Sequence, residues 1–173
     1  MKAEREFRAL NMAILTISDT RTLETDGSGD TLVQRLTEAG HQLAERALLP
    51  DDMYRIRALV AHWIAEPGIE AVITTGGTGL TGRDRTPEAI SPLFDKHIVG
   101  FGELFRSISY TEIGTSTMES RALAGVANGT VVFCLPGSTN ACRTAWDKIL
   151  KEQLDQRHKP CNVVQLIARF KEV

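Results

Sequence analysis

Asp51 and Asp84 are the side chains in this sequence best suited to chemistry on a phosphate group. Each follows a segment with the apolar pattern of a strand and lies outside a helical face. Two carboxylates can face phosphate oxygens when Mg²⁺ lies between them, because this hard dication prefers oxygen ligands and neutralises repulsion. Arg83 and Arg85 flank Asp84 and are placed to hold a phosphate by bidentate hydrogen bonds. The pattern favours metal-assisted group transfer.

Plain structural roles are the alternative for each of these residues. Asp51 or its neighbour Asp52 can cap the helix predicted to follow, and Asp84 can be a surface turn residue. The two arginines can be solvated. The sequence shows no Ser/His/Asp or Cys/His set that would supply an activated nucleophile. Covalent catalysis is therefore less favoured than catalysis by positioning and metal electrostatics.

A loop rich in glycine and threonine precedes the second aspartate. The β-branched run Ile69–Thr75 predicts a strand, and Gly76-Gly77-Thr78-Gly79 follows it directly. Backbone N–H groups of such a loop, at the carboxyl end of a parallel strand, can bind an anion, so a phosphate-bearing ligand is indicated. Gly77, Gly79 and Gly82 match the G-x-G-x-x-G of a dinucleotide fold only weakly, because that motif normally follows the first strand and here a different strand comes first. A Walker-type phosphate loop is not indicated either, because no Gly-Lys-Ser/Thr follows. A turn without a ligand remains the alternative.

The elements that must position these residues are strands separated by helical stretches. Helices are predicted around Leu32–Ala39, around Ile56–Ile64, from Phe101 to Ile108 and beyond Ser138, with Thr86 as the N-cap of another helix. A further helix is predicted to begin within 118–123. The predicted strands are Met12–Ser18, Leu43–Leu49, Ile69–Thr75 and Thr130–Leu135. The polar clusters that follow them are Ser18-Asp19, Pro50-Asp51-Asp52, Gly76–Asp84 and Pro136–Ser138.

This alternation predicts an α/β fold, a three-layer α/β/α sandwich with a mainly parallel sheet. The polar clusters then share one edge of the sheet and form a single composite site. We expect one domain over residues 1–173, with 1–10 and 160–173 as peripheral extensions.

Composition describes an ordinary globular chain. Of the 173 residues, 42% are hydrophobic and 24% charged, and the net charge of −2 offers no general attraction to nucleic acid or anionic lipid. The charged N-terminus and the absence of a long apolar run predict a cytoplasmic protein without a membrane segment. The three cysteines lack C-x-x-C spacing and are expected to be packing residues, and the four histidines are assigned no chemistry.

Seven motifs together resemble the MoaB/MogA family of molybdenum-cofactor biosynthesis proteins. The ending Arg157–Asn162 is similar to the MoaB branch in particular, and the likeness runs through nearly the whole chain. Leu80-Thr81-Gly82 and Arg85 differ from the MogA branch. The motifs are Ile17-Ser18-Asp19, Asp26-x-Ser28-Gly29, Thr74–Gly79, Arg83-Asp84-x-Thr86-Pro87-Glu88, Gly100-Phe101-Gly102-Glu103, Ser120-Arg121-Ala122 and Leu135-Pro136-Gly137-Ser138.

The resemblance implies a molybdopterin-binding domain that transfers AMP, with Mg²⁺ as cofactor and ATP and molybdopterin as substrates. It implies that Asp51 and Asp84 are catalytic and bind the metal. It also implies homotrimers or hexamers, with other molybdenum-cofactor enzymes as further partners. The residues implied to bind substrate are Ser18, Asp19, Ser28, Gly29, Thr75, Gly76, Gly77, Thr78, Gly79, Ser120, Arg121, Pro136, Gly137 and Ser138.

Two other functions remain as hypotheses. The first is a protein of the same pathway that binds molybdopterin or a nucleotide, including GTP, without turnover. The second and more distant one is an oxidoreductase that uses a nicotinamide dinucleotide.

An apolar section between Val99 and Ala127 predicts self-association. A small sheet leaves part of such a section exposed, and burial against identical subunits in a closed ring would cover it. The alternative is a monomer that folds this section into its own core. The section contains Phe101, Leu104, Phe105, Ile108, Tyr110, Ile113 and Met118.

Overall fold

The computed structural model describes residues 5–172 and shows a six-stranded sheet between two layers of helices. The spatial order of the strands is β2-β1-β3-β6-β5-β4. The first four in that order pair in parallel, whereas β5 is antiparallel to β6 and β4 is antiparallel to β5. This confirms the predicted α/β sandwich with a mainly parallel sheet. The strands are β1 (Asn11–Ile17), β2 (Gln42–Leu49), β3 (Ala71–Thr75), β4 (Lys96–His97), β5 (Leu123–Ala127) and β6 (Thr130–Leu135).

The central strands are apolar along their whole length because helices cover both faces of the sheet. Alternate residues of β1 enter different apolar clusters, Ile14 on one face and Leu15 on the other. Phe105 packs in the first cluster, and Trp63 and Ile90 pack in the second. The helices are α1 (Gly27–Glu38), α2 (Met53–Ala65), α3 (Thr86–Ile90), α4 (Val99–Ile113), α5 (Thr139–Ala145), α6 (Lys151–Gln153) and α7 (Val164–Ile167).

The parallel strands end at nearly the same level, which places their following loops side by side. Thr75 at the end of β3 pairs with Thr16 in β1 and with Leu135 at the end of β6. Ile17 at the end of β1 pairs with Leu49 at the end of β2. The prediction that the polar clusters share one edge of the sheet is therefore confirmed.

The predicted helix start within 118–123 is wrong. Gly114–Glu119 form a short 3₁₀ turn, and β5 begins at Leu123. Ala and Gly dominate β5, so it lacks the β-branched pattern of the other strands. Gly125 is needed there because a Cβ at this position would lie 2.3 Å from the ring of Phe94.

Asn128 and Gly129 connect β5 to β6 in a tight hairpin. Their φ angles are +48° and +85°, and the flanking residues Ala127 and Thr130 are paired across the strands. Asn-Gly is the strongest local signal for such a turn, because both central residues must adopt positive φ. The hairpin was thus predictable from the sequence, although only β6 was predicted.

The long helix predicted beyond Ser138 is interrupted. A π turn at Trp146–Leu150 separates α5 from α6, and the apolar residues of the turn still face the first apolar cluster. Within residues 5–172, no helix is both long and apolar enough to cross a membrane.

The peripheral extensions predicted at 1–10 and 160–173 fall partly outside the described residues, at positions 1–4 and 173. Leu10 and Val164, at the inner ends of these segments, belong to the first apolar cluster. Burial raises the pKa of Cys134 to about 12 and that of Cys142 to about 11. Both thiols therefore stay protonated near neutral pH and act as the packing residues expected, whereas Cys161 is exposed, so the packing expectation is wrong for that residue.

His41 is a buried histidine with a structural role. Its Nδ1 accepts a hydrogen bond of 3.2 Å from the amide of Leu10, so the folded chain requires an unprotonated Nδ1. The ring lies 5.2 Å from that of Phe7 and 6.4 Å from that of Trp146. Burial lowers the pKa of His41 from its ordinary value of 6.5, although the charges of Asp155 and Glu70 oppose the shift.

The lowered pKa predicts acid destabilisation. When pH falls below about 6.5, the unfolded chain protonates His41 more readily than the folded chain, so the free energy of unfolding decreases by at most about 1.4 kcal/mol per pH unit. Urea unfolding between pH 7.5 and 5.5 should show this loss in the unmodified protein and a smaller loss in His41→Gln. The exposed His62→Gln should keep the unmodified slope, and an equal slope in His41→Gln would contradict the assignment.

Candidate active site at the carboxyl edge of the sheet

A cleft of about 570 Å³ lies at the carboxyl edge of the sheet. Its walls include the loops that follow β1, β3 and β6, because these strands end side by side. Its volume falls within the range of roughly 300–1,000 Å³ that small-molecule sites occupy. Of the predicted site residues, those that line it are Ser18, Gly76, Gly77, Thr78, Gly79, Asp84, Ser120, Pro136, Gly137 and Ser138.

The glycine loop requires its glycines at two positions where the chain makes close contacts. Gly76 has φ +106°, and a Cβ there would lie 2.1 Å from the carbonyl oxygen of Ile17. Gly77 has φ +66°, and a Cβ there would lie 2.3 Å from Thr86 Oγ1 and 2.7 Å from Asp51 Oδ2. The absence of side chains therefore lets the loop run directly against β1 and Asp51.

Thr86 forms hydrogen bonds to this loop instead of capping α3. The N-cap of α3 is Arg85, whose side chain makes no capping hydrogen bond, so the predicted N-cap role of Thr86 is wrong. The Thr86 hydroxyl donates to the carbonyl of Gly76 at 2.8 Å, and its amide donates to the carbonyl of Gly77 at 3.0 Å. A loop carbonyl buried against the sheet needs such a donor, which explains the different use of this side chain.

Asp51 and Asp52 have separate roles although they are adjacent. The Asp52 carboxylate accepts hydrogen bonds of 3.0 Å from two amides in the first turn of α2, which makes it the N-cap. Asp51 is 8% exposed and points towards the glycine loop, and its Oδ1 accepts from the amide of Arg85 at 3.2 Å. The amide of Asp51 donates to Asp19 Oδ1 at 3.0 Å. The capping alternative thus applies to Asp52, whereas Asp51 lies against Gly77 of the glycine loop and is not among the residues that line the larger cleft.

Asp84 lies in the wall of the cleft and is held by its own loop. Its Oδ2 accepts hydrogen bonds from the Thr81 amide at 2.9 Å and from the Thr81 hydroxyl at 2.7 Å. A Cβ at Gly79 would lie 2.8 Å from the same oxygen, so the loop wraps closely around this carboxylate.

The two aspartates have pKa values shifted in opposite directions. Burial raises the pKa of Asp51, and the negative charges of Asp84 and Asp19 act in the same direction. Burial also acts to raise the pKa of Asp84, but the hydrogen bonds from Thr81 outweigh it and the net pKa is lowered. Asp84 is therefore a stable anion, whereas the charge on Asp51 is destabilised and would be favoured by a nearby cation.

The carboxylates fit a magnesium ion that is shared with a ligand. Both are hard oxygen donors at the same edge of the sheet, and a cation would offset the burial and the repulsion that together raise the pKa of Asp51. Residues 5–172 contain no group of three or more His, Cys, Asp or Glu side chains arranged to hold a metal. The remaining ligands would have to be phosphate oxygens and water, as is usual for Mg²⁺ in proteins.

The arginines beside Asp84 are engaged within the protein. Arg83 donates from Nε and Nη2 to the two oxygens of Asp19, at 2.9 and 2.7 Å. Arg85 donates from Nε to the carbonyl of Gly82 at 3.2 Å. Asp19 is itself predicted to bind substrate, but in the structure it anchors the glycine loop and the Asp51 amide.

A second cleft of about 360 Å³ shares Asp84 with the larger one and is lined by residues 80–82, Asp84, Arg85, Glu88 and Arg121. Arg121 donates from Nε to the carbonyl of Gly79 at 2.8 Å and from Nη2 to the carbonyl of Asp84 at 2.6 Å. Its Nη1 forms an ion pair with Glu88. Arg121 thus shapes the wall between the clefts, and Asp84 lines both.

Three residues predicted to bind substrate lie behind the wall of the larger cleft. The hydroxyl of Ser28 donates to the carbonyl of Gly137 at 2.8 Å, and that of Thr75 donates to the carbonyl of Pro136 at 2.9 Å. The amide of Gly29 donates to the α1 N-cap, Asp26, at 2.9 Å. These residues fix the loop after β6 and the start of α1.

Ser120 and Ser138 differ in how their hydroxyl groups are used. Ser138 Oγ accepts from the amide of Ala141 at 3.1 Å and caps α5, which is the structural alternative for this residue. Ser120 Oγ is buried in the cleft wall and has no hydrogen-bond partner among the described residues. Unpaired buried hydroxyls are rare in native proteins, and because this oxygen has almost no accessible surface, the side chain would have to rotate towards the cleft to reach a ligand.

Sequence reasoning missed two charged residues that line the larger cleft, Arg21 and Glu119. Arg21 follows the Ser18-Asp19 cluster directly, so its position beside a strand end was a usable signal. Glu119 precedes the Ser120-Arg121 motif but lies in the section where the helix prediction was wrong. Its place in the cleft depends on β5, which the sequence pattern did not reveal.

The sequence and the fold match a known family. A family model described as the probable molybdopterin binding domain matches residues 13–156, which is most of the chain and includes every strand end that forms the cleft. The chain belongs to this family. The resemblance to molybdenum-cofactor biosynthesis proteins is thereby confirmed.

Relatives within the family cover nearly the whole chain. Molybdenum cofactor biosynthesis protein B of Escherichia coli K12 is 53% identical over 157 residues, which are 91% of this chain and 92% of that protein. A crystal structure of a molybdenum cofactor biosynthesis protein B matches with TM-score 0.84 and 47% identity, covering 87% of this chain and 94% of that one. The crystal structure of the tungsten cofactor synthesizing protein MoaB from Pyrococcus furiosus matches with TM-score 0.76 and 36% identity, covering 95% of this chain and 99% of that one.

Two glycines of the loop provide a matched test of its geometry. Gly77→Ala should lower the free energy of unfolding by about 2 kcal/mol or more, because the methyl group meets Thr86 and Asp51 in a positive-φ conformation. Gly82→Ala should change it by less than about 0.5 kcal/mol, since a Cβ there has no neighbour within 4 Å. Urea denaturation measures both, and equal losses would disprove the close contact at Gly77.

Proposed function

We propose that the chain acts in molybdenum cofactor biosynthesis by transferring AMP from Mg-ATP to the phosphate group of molybdopterin. The observation that carries this proposal is the position of Asp84 in the wall of two adjoining clefts. A transfer reaction needs two ligands whose reacting groups meet, and two clefts that share a carboxylate meet this requirement. Family membership supports molybdopterin as one of the ligands.

The proposed step is a substitution at phosphorus. An anionic oxygen of the molybdopterin phosphate forms a bond to the α-phosphorus of ATP. The bond between that phosphorus and the oxygen bridging to the β-phosphate breaks, and its electron pair leaves with pyrophosphate. The products are adenylylated molybdopterin and pyrophosphate, and the attacking oxygen needs no general base because it is already ionised.

The protein contributes mainly by positioning the two reactants and by stabilising charge on the phosphate groups. Asp51 and Asp84 would hold Mg²⁺, which supplies charge neutralisation at phosphate oxygens when it is bound. The glycine loop offers backbone amides to an anion, and Ser120 offers a hydrogen bond to a ligand in the larger cleft once its buried hydroxyl rotates towards it. Holding both reactants in this way lowers the entropic part of the barrier.

Substitution of the aspartates tests the proposal. Asp84→Asn and Asp51→Asn should reduce adenylyl transfer by about 10²- to 10³-fold, because each removes a negative charge needed near the metal. Molybdopterin affinity should be retained. Asp52→Asn is the matched control and should keep full activity, since asparagine caps helices as well as aspartate does.

Turnover is measured as adenylylated molybdopterin and pyrophosphate formed from purified protein, molybdopterin and Mg-ATP. A protein that forms no product under conditions in which a known adenylyltransferase is active would exclude the proposed reaction. Full turnover by Asp84→Asn would instead exclude the role given to this carboxylate.

A binding protein without turnover is the second candidate function. It is favoured by the arginines near the site, because Nε and Nη2 of both Arg83 and Arg121 already donate to oxygens of the protein. Calorimetry with molybdopterin, ATP and GTP distinguishes the candidates. Molybdopterin binding with neither product formation nor ATP binding would support this second function.

We also infer that the chain forms a closed homo-oligomer. Part of the apolar section predicted to be an interface is core, since Phe101 and Phe105 lie in the first apolar cluster and are nearly fully buried. The rest forms an exposed apolar patch on α4 and the following 3₁₀ turn, and covering this patch stabilises an oligomer. The patch consists of Val99, Leu104, Tyr110, Ile113 and Met118, which are 49–77% exposed.

Light scattering tests the assembly. The unmodified protein should have a mass of three or six times the 19.0 kDa of the chain. Ile113→Glu should lower this mass because it places a charge in the apolar patch. Tyr54→Glu is the control, since Tyr54 is 70% exposed on α2 in the opposite layer. A mass of one chain for the unmodified protein would refute self-association.

A further inference from the structure

Arg21 is a basic residue of the larger cleft that takes no part in the proposed reaction. Among the described residues that line this cleft, Arg21 carries the only positive charge, and Asp84 and Glu119 are acidic. An anionic ligand in the cleft is attracted towards the guanidinium and repelled by the two carboxylates. The charge distribution alone therefore favours the part of the cleft next to Arg21 as the position of a phosphate group.

The guanidinium of Arg21 is held from one side. Its Nη1 donates to the hydroxyl of Ser28 at 2.9 Å and to the carbonyl of Gly137 at 3.2 Å. The same nitrogen lies 3.9 Å from Oδ1 of the buried Asp26, and the backbone amide of Arg21 donates to Ser18 Oγ at 3.1 Å. The side chain is thus oriented before any ligand binds.

The other guanidinium nitrogens of Arg21 are unused. Within residues 5–172, Nε and Nη2 have no hydrogen-bond partner, and the side chain is 34% exposed. Arg83 and Arg121 differ in this respect, because Nε and Nη2 of each donate to protein oxygens. Arg21 therefore combines a fixed position with free donors, which suits the two oxygens of a phosphate.

We propose that Arg21 binds a phosphate group of the ligand in the larger cleft and so selects phosphorylated over unphosphorylated ligands. This assignment rests on the proposed function for the identity of the ligand, but it requires no turnover. The phosphate can belong to molybdopterin or to a nucleotide, because both offer the same anionic oxygens. The role is specific to Arg21, since the neighbouring arginines are bonded elsewhere.

Calorimetry with Arg21→Gln, Arg21→Lys and the exposed control Arg55→Gln tests the assignment. The probes are molybdopterin, dephosphorylated molybdopterin and Mg-ATP. Arg21→Gln should weaken molybdopterin binding by about 10- to 100-fold, because charge-assisted hydrogen bonds to the phosphate are lost. Binding of dephosphorylated molybdopterin should change by less than about twofold. Arg21→Lys should have an intermediate effect, since lysine keeps the charge but not the bidentate geometry.

The outcomes separate this assignment from the proposed function. A loss confined to Mg-ATP would support the phosphate-binding role and identify the nucleotide as its source. Unchanged binding of both phosphorylated probes, or an equal loss for dephosphorylated molybdopterin, would overturn the role of Arg21 and leave adenylyl transfer intact. Absence of all binding by the unmodified protein would overturn both. Thermal unfolding of each variant shows whether a loss of affinity reflects a loss of fold.

Discussion

The alignment of the parallel strand ends is the constraint on which the rest of the site depends. Because β1, β3 and β6 finish at one level, their loops leave the sheet side by side and can contact one another. The contact is so close that Gly76 cannot carry a side chain. Ion pairs and hydrogen bonds then fix the loops relative to one another, with Arg83 on Asp19 and Ser28 on Gly137 as examples. A shift in strand register would separate all of these partners.

The layered fold and its four parallel strands could be predicted from sequence because their signals are local. Apolar runs such as Thr130–Leu135, and glycines that end a helix, can be recognised without any knowledge of distant residues. The antiparallel edge could be predicted only in part. Asn128-Gly129 signals a hairpin, but the strand before it consists largely of small residues whose burial depends on Phe94 and α4. Tertiary packing, and not local preference, makes that segment a strand.

The candidate site was predictable at the level of loops but not at the level of individual side-chain roles. The sequence places Asp51, Asp84 and the glycine loop at one edge, and the structure brings them together there. The sequence does not indicate which aspartate caps α2, or that Thr86 donates a hydrogen bond to the glycine loop. Nor does it show that Arg121 is bonded to backbone carbonyls while Arg21 is left with free donors. Each of these roles depends on contacts between residues far apart in the chain.

The long sequence separation of the cleft walls links ligand binding to completion of the fold. One wall follows β1 near residue 18, and another follows β6 near residue 137, so the cleft does not exist until most of the chain has been synthesised and packed. Folds with such nonlocal contacts form more slowly than those built from local contacts. A ligand that binds here stabilises the complete native state and no partly folded one. Any ligand that occupies this cleft would therefore shift newly made chains towards the native state.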